Sequence, residues 1–599
     1  MSKFSSRRSR ATVVALCAGA LVLSGCSAGG GDSSEKSDRD SAKKLQSQIK
    51  IGTAKDSVGP APAVEGASKG GTIKVLQRDS YSHLDPAQIY VSDEGSVATL
   101  IHRRLTDYKL GANGRSTLVG DLATDTGQKS DGGKTWTYKL KDGIKFENGD
   151  EITSDDVRHT IERTFADFIN EGPIFIQQWL ANKSGASYRK LLKGGPYEGK
   201  HLSDDILETP DKKTVVFKFK KPVADLPYAL AMAGYGVVSK KHDTKEKYDK
   251  KPLSSGPYKI TSFKTGKSMK MVRNENWDAK TDPVRHQYPD TYDFQFGVTY
   301  ADSTQRLMAD NGENKTAVSF NNQVDAGNMQ GVRSKPDVKK RSIDGYQPYV
   351  GVLNFNLKRP NMKDKLVREA IAHAIPNRAV LQAFGGSGGG ELAGNLISPT
   401  VSGYKDTDPY NKIKKPMGDV KKAKALLKKA GKTGMKITYA YMNSAEPQKY
   451  SVAIADNLKK AGFDVQRKDL PSDTFYDLVG KVDNKYDIYH SAWGADWPSA
   501  STVVPPTLDG RTIQNGASNY AHYNNPKMNK EMDRISQIAD PKKAADEWFK
   551  LADKILREDL PQVPIFYYKQ IQLHGSKVGG VVNSDILHGI DPTRLYVKK

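Results

Sequence analysis

The sequence predicts an α/β protein of several domains, on three observations. After about residue 415, strand patterns alternate with amphipathic helices. Earlier segments hold short alternating strands closed by tight turns. The stretch from about Gly70 to Lys599 holds about 530 residues, more than one hydrophobic core supports.

The elements follow in order. Gly70-Gly71-Thr72-Ile73-Lys74-Val75-Leu76 reads as a β-branched strand leading into the turn Ser82-His83-Leu84-Asp85-Pro86. Trp136-Thr137-Tyr138-Lys139-Leu140 alternates with period two, and Asn148-Gly149 signals a hairpin turn. Ser154 is the expected cap of the next helix. Later, Asp419 caps a helix with the apolar stripe Val420, Ala423, Leu426, Leu427 and Ala430, and Gly431 suits its left-handed end. Lys436 to Tyr441 reads as a strand, Ser451 to Ala461 as a helix, and Phe463-Asp464-Val465 as a strand. Asp540-Pro541 starts a late helix with Trp548, Leu551 and Ile555 inward, and Pro561 stops it.

The N-terminus has the zones of a secretory signal over 1–25. A basic patch (Lys3, Arg7, Arg8, Arg10) is followed by an apolar stretch from Ala11 to Leu23 and the small-residue ending Leu23-Ser24-Gly25-Cys26. The apolar stretch is too short to span a bilayer, which takes about 20 residues. Leu-Ser-Gly-Cys resembles a bacterial lipobox, which implies cleavage before Cys26 and lipidation of its thiol. Of the two cysteines, Cys17 leaves with the signal, so no disulfide and no cysteine metal site is expected. Residues 26–69 are rich in Gly, Ser, Ala and mixed charge, and read as a flexible tether. The expected location is the outer face of the bacterial cytoplasmic membrane, with the membrane contacted through the lipid.

The formal charge is +23, and the four signal cations leave +19 on the mature chain. Its lysines are scattered over helical surfaces such as Lys421, Lys422, Lys424, Lys428 and Lys429, without a recognition motif, so no nucleic-acid partner is expected. A solvated surface beside an anionic envelope accounts for the excess.

Nine motifs occur in one order: GGT (70–72) with LDP (84–86), LAT (122–124), TWTYKLKDGIKFENGDEITSDDV (135–157), SSGPYKI (254–260), RNENW (273–277), LNFN (353–356), VREAIAHAI (367–375), VKKAKALLKKAG (420–431) and WGADW (493–497). Together they resemble the family-5 extracellular solute-binding proteins of ABC transporters, the dipeptide- and oligopeptide-binding proteins and their relatives for nickel, haem or oligosaccharides. The resemblance runs from Gly70 to Lys599. It implies a two-lobed periplasmic-binding-protein-like α/β fold with a hinge and a third inserted domain. Lobe I is expected at 70–110, 211–340 and 565–599, the inserted domain at 111–210, and lobe II at 341–564, with crossings near 340 and 564. It also implies a monomer that delivers its ligand to an ABC permease with ATPase subunits.

A receptor for peptides of varied sequence must hold what all peptides share, including an ammonium group and a backbone. The resemblance carries the ammonium-binding aspartate onto Asp496, with Trp493, Gly494, Ala495 and Trp497 around it and Tyr90 as a further contact. Pro498-Ser499-Ala500 departs from common forms of this segment, which leaves substrate detail open. An oligosaccharide, a nickel chelate or another small solute is the alternative, with Trp493 and Trp497 as stacking surfaces for a sugar. No catalytic residue or cofactor is expected, since no nucleophile elbow, phosphate loop or His-x-x-x-His occurs. His490 and His522 could meet in space as metal ligands, but a lone histidine is usually structural, and no metal site is expected.

Overall fold

The computed structural model describes residues 50–111, 116–183, 185–472, 474–584 and 586–599. The signal segment, Cys26 and most of the expected tether lie outside the described residues. No helix among the described residues is long and apolar enough to cross a membrane.

Lobe II is built on a six-stranded mixed sheet in the order Gly390–Leu392, Gln562–Leu573, Ser342–Phe355, Ile488–Gly494, Lys436–Met442, Asp464–Leu470. The last three strands run parallel to one another, the others antiparallel. Parallel neighbours need crossover helices. Ala445–Lys460 is one, linking Lys436–Met442 to Asp464–Leu470. Its Tyr450, Ile454 and Leu458 join Ile371, Leu427 and Trp548 from other helices in the lobe core.

Lobe I holds a five-stranded sheet in the order Ala317–Val318, Thr72–Leu76, Thr291–Gln295, Ser268–Arg273, Tyr258–Lys264. The inserted domain holds a four-stranded antiparallel sheet in the order Gln128–Ser130, Thr135–Lys139, Thr214–Lys218, Leu207–Asp211.

Two long strands, Ser342–Phe355 and Gln562–Leu573, cross between the lobes side by side. Ile571 and Leu573 pack with Leu76, Val298 and Leu307 of lobe I, whereas Leu353, Val563 and Ile565 belong to the lobe II core. Their pairing is interrupted between Tyr346 and Val350.

Four expectations are corrected. The chain is packed from Lys50, not from residue 70. Lys50–Ile51 pairs parallel with Ser116–Gly120, Ala61 N–H donates to Asp282 O at 3.0 Å, and Ala61 is buried. Backbone pairing holds this segment where its own apolar content is too small to do so.

Second, the inserted domain does not end at 210. Thr214–Lys218 is the hairpin partner of Leu207–Asp211, and Val223, Leu226 and Tyr235 share that domain's core. Third, the cap of helix Ser154–Arg163 is Thr153, whose N–H and hydroxyl both donate to Asp156 Oδ2 at 2.9 Å. Ser154 lies inside the helix and donates to Asp211 O. Fourth, helix Ala445–Lys460 begins six residues before Ser451, because Pro447 falls in its first turn, where no backbone donor is needed.

Candidate binding site

Strand Ile488–Gly494 carries the candidate site. On one side it pairs with Ser342–Phe355 over its whole length, from Phe355↔Ile488 to Tyr349↔Gly494. On the other side Lys436–Met442 pairs with it only at Tyr439↔Ile488 and Ala440↔Tyr489. From His490 to Gly494 that edge therefore has no strand partner among the described residues. An unpaired edge displays backbone donors and acceptors to any extended chain laid beside it.

Beyond Gly494 the chain turns through Ala495 and Asp496. Thr502 fixes this turn: its hydroxyl accepts from Asp496 N–H at 3.1 Å, and its carbonyl accepts from Trp493 Nε1 at 2.8 Å. Asp496 Oδ1 accepts the Tyr90 hydroxyl at 2.7 Å, while Oδ2 is buried without any hydrogen-bond partner. Burial pushes the carboxyl up to about 7, against the Tyr90 hydrogen bond, which pulls the other way. An orphan carboxylate oxygen of this kind is costly unless a cation or donor reaches it.

Tyr90 comes from the opposite lobe. The Leu84-Asp85-Pro86 turn before it is fixed by Asp85, whose carboxylate accepts Ala87 N–H at 3.1 Å and both terminal nitrogens of Arg163 at 2.7 and 2.6 Å. This bidentate pair ties the turn to helix Ser154–Arg163. Tyr90 is 46% exposed, so its ring lies in the cleft rather than in a core.

The other expected residues are distributed differently. Trp493 points to the opposite face of the strand from His490, Ala492 and Gly494, next to Val350, and borders a cavity of about 20 Å³, the size of about one water. Trp497 is buried in the other domain's wall, with Phe175 at 4.7 Å and Trp179 at 6.1 Å between ring centroids. Its Nε1 donates to Asp225 Oδ2 at 3.2 Å, and Ser501 Oγ donates to the same oxygen at 2.5 Å. Gly494 lies against the Tyr349 ring, where an added Cβ would sit 2.6 Å from Cε1. Ala495 is buried.

Sequence reading missed Phe175, Trp179 and Asp225, which meet Trp497, and the tyrosines 349, 450, 476 and 568. Only Tyr349 carried a local signal, being close before the LNFN strand.

The His490 ring lies tilted against Tyr450, 4.7 Å between centroids, and His522 Nδ1 meets Asn356 Oδ1 at 3.1 Å. No group of three or more His, Cys, Asp or Glu suited to a metal lies among the described residues.

Comparison with known proteins assigns the class of protein. Residues 117–515 match the family described as bacterial extracellular solute-binding proteins, family 5 Middle, and the chain belongs to that family. It is a non-enzymatic, extracytoplasmic solute-binding component of an ABC transporter. Among relatives, it is 24% identical to the oligopeptide-binding protein OppA of Bacillus subtilis (strain 168) over 94% of each chain. It is 21% identical to heme-binding protein A of Haemophilus influenzae over 96% of this chain and 98% of the other. Among solved structures, the clavulanic acid biosynthesis oligopeptide binding protein 2 superposes with a TM-score of 0.82 at 24% identity, over 93% of this chain and all of the other. DppA of Helicobacter pylori in complex with the peptide STSA gives 0.67 at 20% identity, over 89% and 99%.

Proposed function

We propose that the ligand is a peptide whose ammonium group pairs with Asp496 and whose first residues lie along the free edge from His490 to Gly494. The observation that carries this reading is the buried, partnerless Oδ2 of Asp496 at the end of an unpaired strand edge. A carboxylate held this way gains from a cation that also donates hydrogen bonds, and the edge supplies the main-chain pairing that a sequence-tolerant receptor needs. The oligopeptide-binding relative and the peptide-bound neighbour support the same reading. A sugar is disfavoured because the Trp497 ring is buried against Phe175 and Trp179, and Trp493 packs against the lobe II core.

The further parts of the reading are a monomer anchored through lipid on Cys26 at the outer face of the cytoplasmic membrane, closing its lobes on the ligand. The permease and ATPase subunits then receive the peptide. Mass spectrometry of molecules released by denaturing the purified protein tests the ligand class: peptides with free amino ends support it, and a sugar, metal chelate or haem would replace it.

A further inference from the structure

We propose that lobe II carries, at its end away from the cleft, a lysine face that rests on an anionic phospholipid surface. The contact is screened by salt and orients the protein at the membrane, whatever the ligand is.

The face centres on helix Val420–Lys429. Ala423 and Leu427 are buried in the lobe core, whereas Lys421, Lys422, Lys424, Lys428 and Lys429 are all exposed, and the helix holds no acidic residue. Lys421, Lys424 and Lys428 are three and four residues apart, so like charges meet along one side. Lys428 and Lys429 suit the negative end of the helix dipole. Lys421 and Lys422, however, stand in the first turn, where acidic side chains are favoured and cations cost stability. Among the described residues none of these five lysines forms an ion pair. Helix Pro541–Glu558 shows the contrast, with Lys550 paired to Glu547 at 2.8 Å and Arg557 to Asp553 at 2.6 Å. Fold stability therefore does not account for the lysines of Val420–Lys429.

Neighbouring segments add cations at the same end. Gly434 N–H donates to Gly462 O at 2.7 Å, a Cβ at Gly462 would lie 3.6 Å from Leu427, and Lys436 stands opposite Asp464 where two parallel strands begin. Exposed Lys432, Lys436, Lys459 and Lys460 thus gather by the last turn of the helix. Asp464 offsets one of these charges, and Asp419 is taken up by Lys422 N–H and by its ion pair with Lys415. Strand Ile488–Gly494 runs parallel to Lys436–Met442 with Tyr439 beside Ile488, which places Gly494 about 30 Å from Lys436 along the strand direction. The face and the candidate site therefore lie at opposite ends of the sheet.

Two features favour lipid phosphates over the carboxylates of a protein. The cations are all lysines, compact charges on flexible stems that suit a sheet of phosphates, whereas paired recognition of carboxylates favours the planar fork of arginine. Met417, four residues before Lys421, is 58% exposed although its backbone is pinned. Asn457 Nδ2 donates to its carbonyl at 2.9 Å, and a Cβ at Gly418 would sit 2.5 Å from Ala374 O. An apolar side chain held outward beside lysines matches a headgroup layer with hydrocarbon beneath it.

The test is sedimentation of the chain from residue 26 to 599, carrying Cys26→Ser so that no lipid is attached, with vesicles of phosphatidylcholine alone or mixed equally with phosphatidylglycerol. We expect binding to the mixed vesicles only, present at about 0.1 M salt and lost at about 1 M, where the screening length falls from about 10 to about 3 Å. Lys421→Gln, Lys424→Gln and Lys428→Gln together should weaken it at least about 30-fold, from about fivefold per lysine at the surface. Lys542→Gln, Lys543→Gln and Lys554→Gln together remove the same charge from exposed positions of Pro541–Glu558 and should weaken it less than about threefold. Met417→Asp should weaken it at least about threefold. Equal losses in the two triple variants would show attraction by the net charge of +23 as a whole and overturn the proposal. No binding to the mixed vesicles, as for a face that meets an acidic protein, or equal binding to neutral ones, would overturn it too. The first triple variant should melt no lower than the wild type, and a lower Tm would contradict the argument that the fold does not need these lysines.

Discussion

The Tyr90 hydroxyl donates to Asp496 Oδ1 at 2.7 Å across the cleft, joining two lobes through residues 406 positions apart. This bond satisfies one carboxylate oxygen and leaves the other without a hydrogen-bond partner. It also favours the ionised form of a buried carboxyl. Tyr90→Phe should therefore weaken peptide binding by about 10- to 100-fold, the range expected for one hydrogen bond to a charged group. Calorimetry at pH 7.5 measures it, and unchanged affinity would show that Tyr90 does not support the anchor.

The pH dependence follows from the same group. In the proposed complex the ammonium pairs with the ionised carboxylate, which burial pushes up to about 7 in the unliganded protein. Affinity should be full just above pH 7 and fall by up to about tenfold per pH unit below it, then decline again above about pH 8 as the ligand's amine loses its proton. For unliganded stability the sign reverses. A carboxyl raised from 3.8 in the unfolded chain to about 7 in the folded one costs stability as the pH climbs through that window. Asp496→Asn should accordingly raise the ligand-free Tm at pH 8, with the difference shrinking toward pH 4. A Tm difference independent of pH would assign the change to packing instead.

Trp497 acts as a knob from lobe II seated in the inserted domain between Phe175 and Trp179. Its burial and its bond to Asp225 exist only when the two bodies are together. Trp497→Ala should destabilise the closed form by on the order of 3 kcal/mol, lowering ligand affinity by roughly 100-fold and enlarging the ligand-free radius of gyration in small-angle scattering. Wild-type affinity and an unchanged radius would remove Trp497 from the closing contact.

Anchoring is separable from binding. Cys26→Ser should release the protein from membranes in cell fractionation and leave peptide affinity unchanged. A variant that stays membrane-bound at high salt would contradict the lipid anchor.

Local chemistry was legible in the sequence where it acts over a few residues. The Asn148-Gly149 turn forms, with Gly149 at φ +89°, and Asp419 caps its helix through Lys422 N–H at 3.0 Å. Ser154 misled because Thr153 has the same capping chemistry and Asp156 lies three residues beyond it, which completes the box. Pro447 misled because proline breaks a helix interior but suits a first turn.

The WGADW segment holds the proposed anchor, yet nothing local tells that Trp497 meets Asp225, 272 positions away, while Trp493 turns into its own lobe. Which face each indole takes depends on strand register, and register is set by pairing with Ser342–Phe355, far off in the chain.

The central claim is that Asp496 holds the ligand's amino end, and a double-mutant cycle tests it most directly. Calorimetry would compare wild type and Asp496→Asn with Ala-Tyr-Tyr-Ala and its N-acetyl form. Removing one partner of a buried charge pair costs about 2–5 kcal/mol, so each single change should weaken binding at least about 30-fold. Both together should cost little more than either alone, because they delete the same interaction. If the two losses add, or if the acetylated peptide binds wild type normally, Asp496 is not the ammonium anchor.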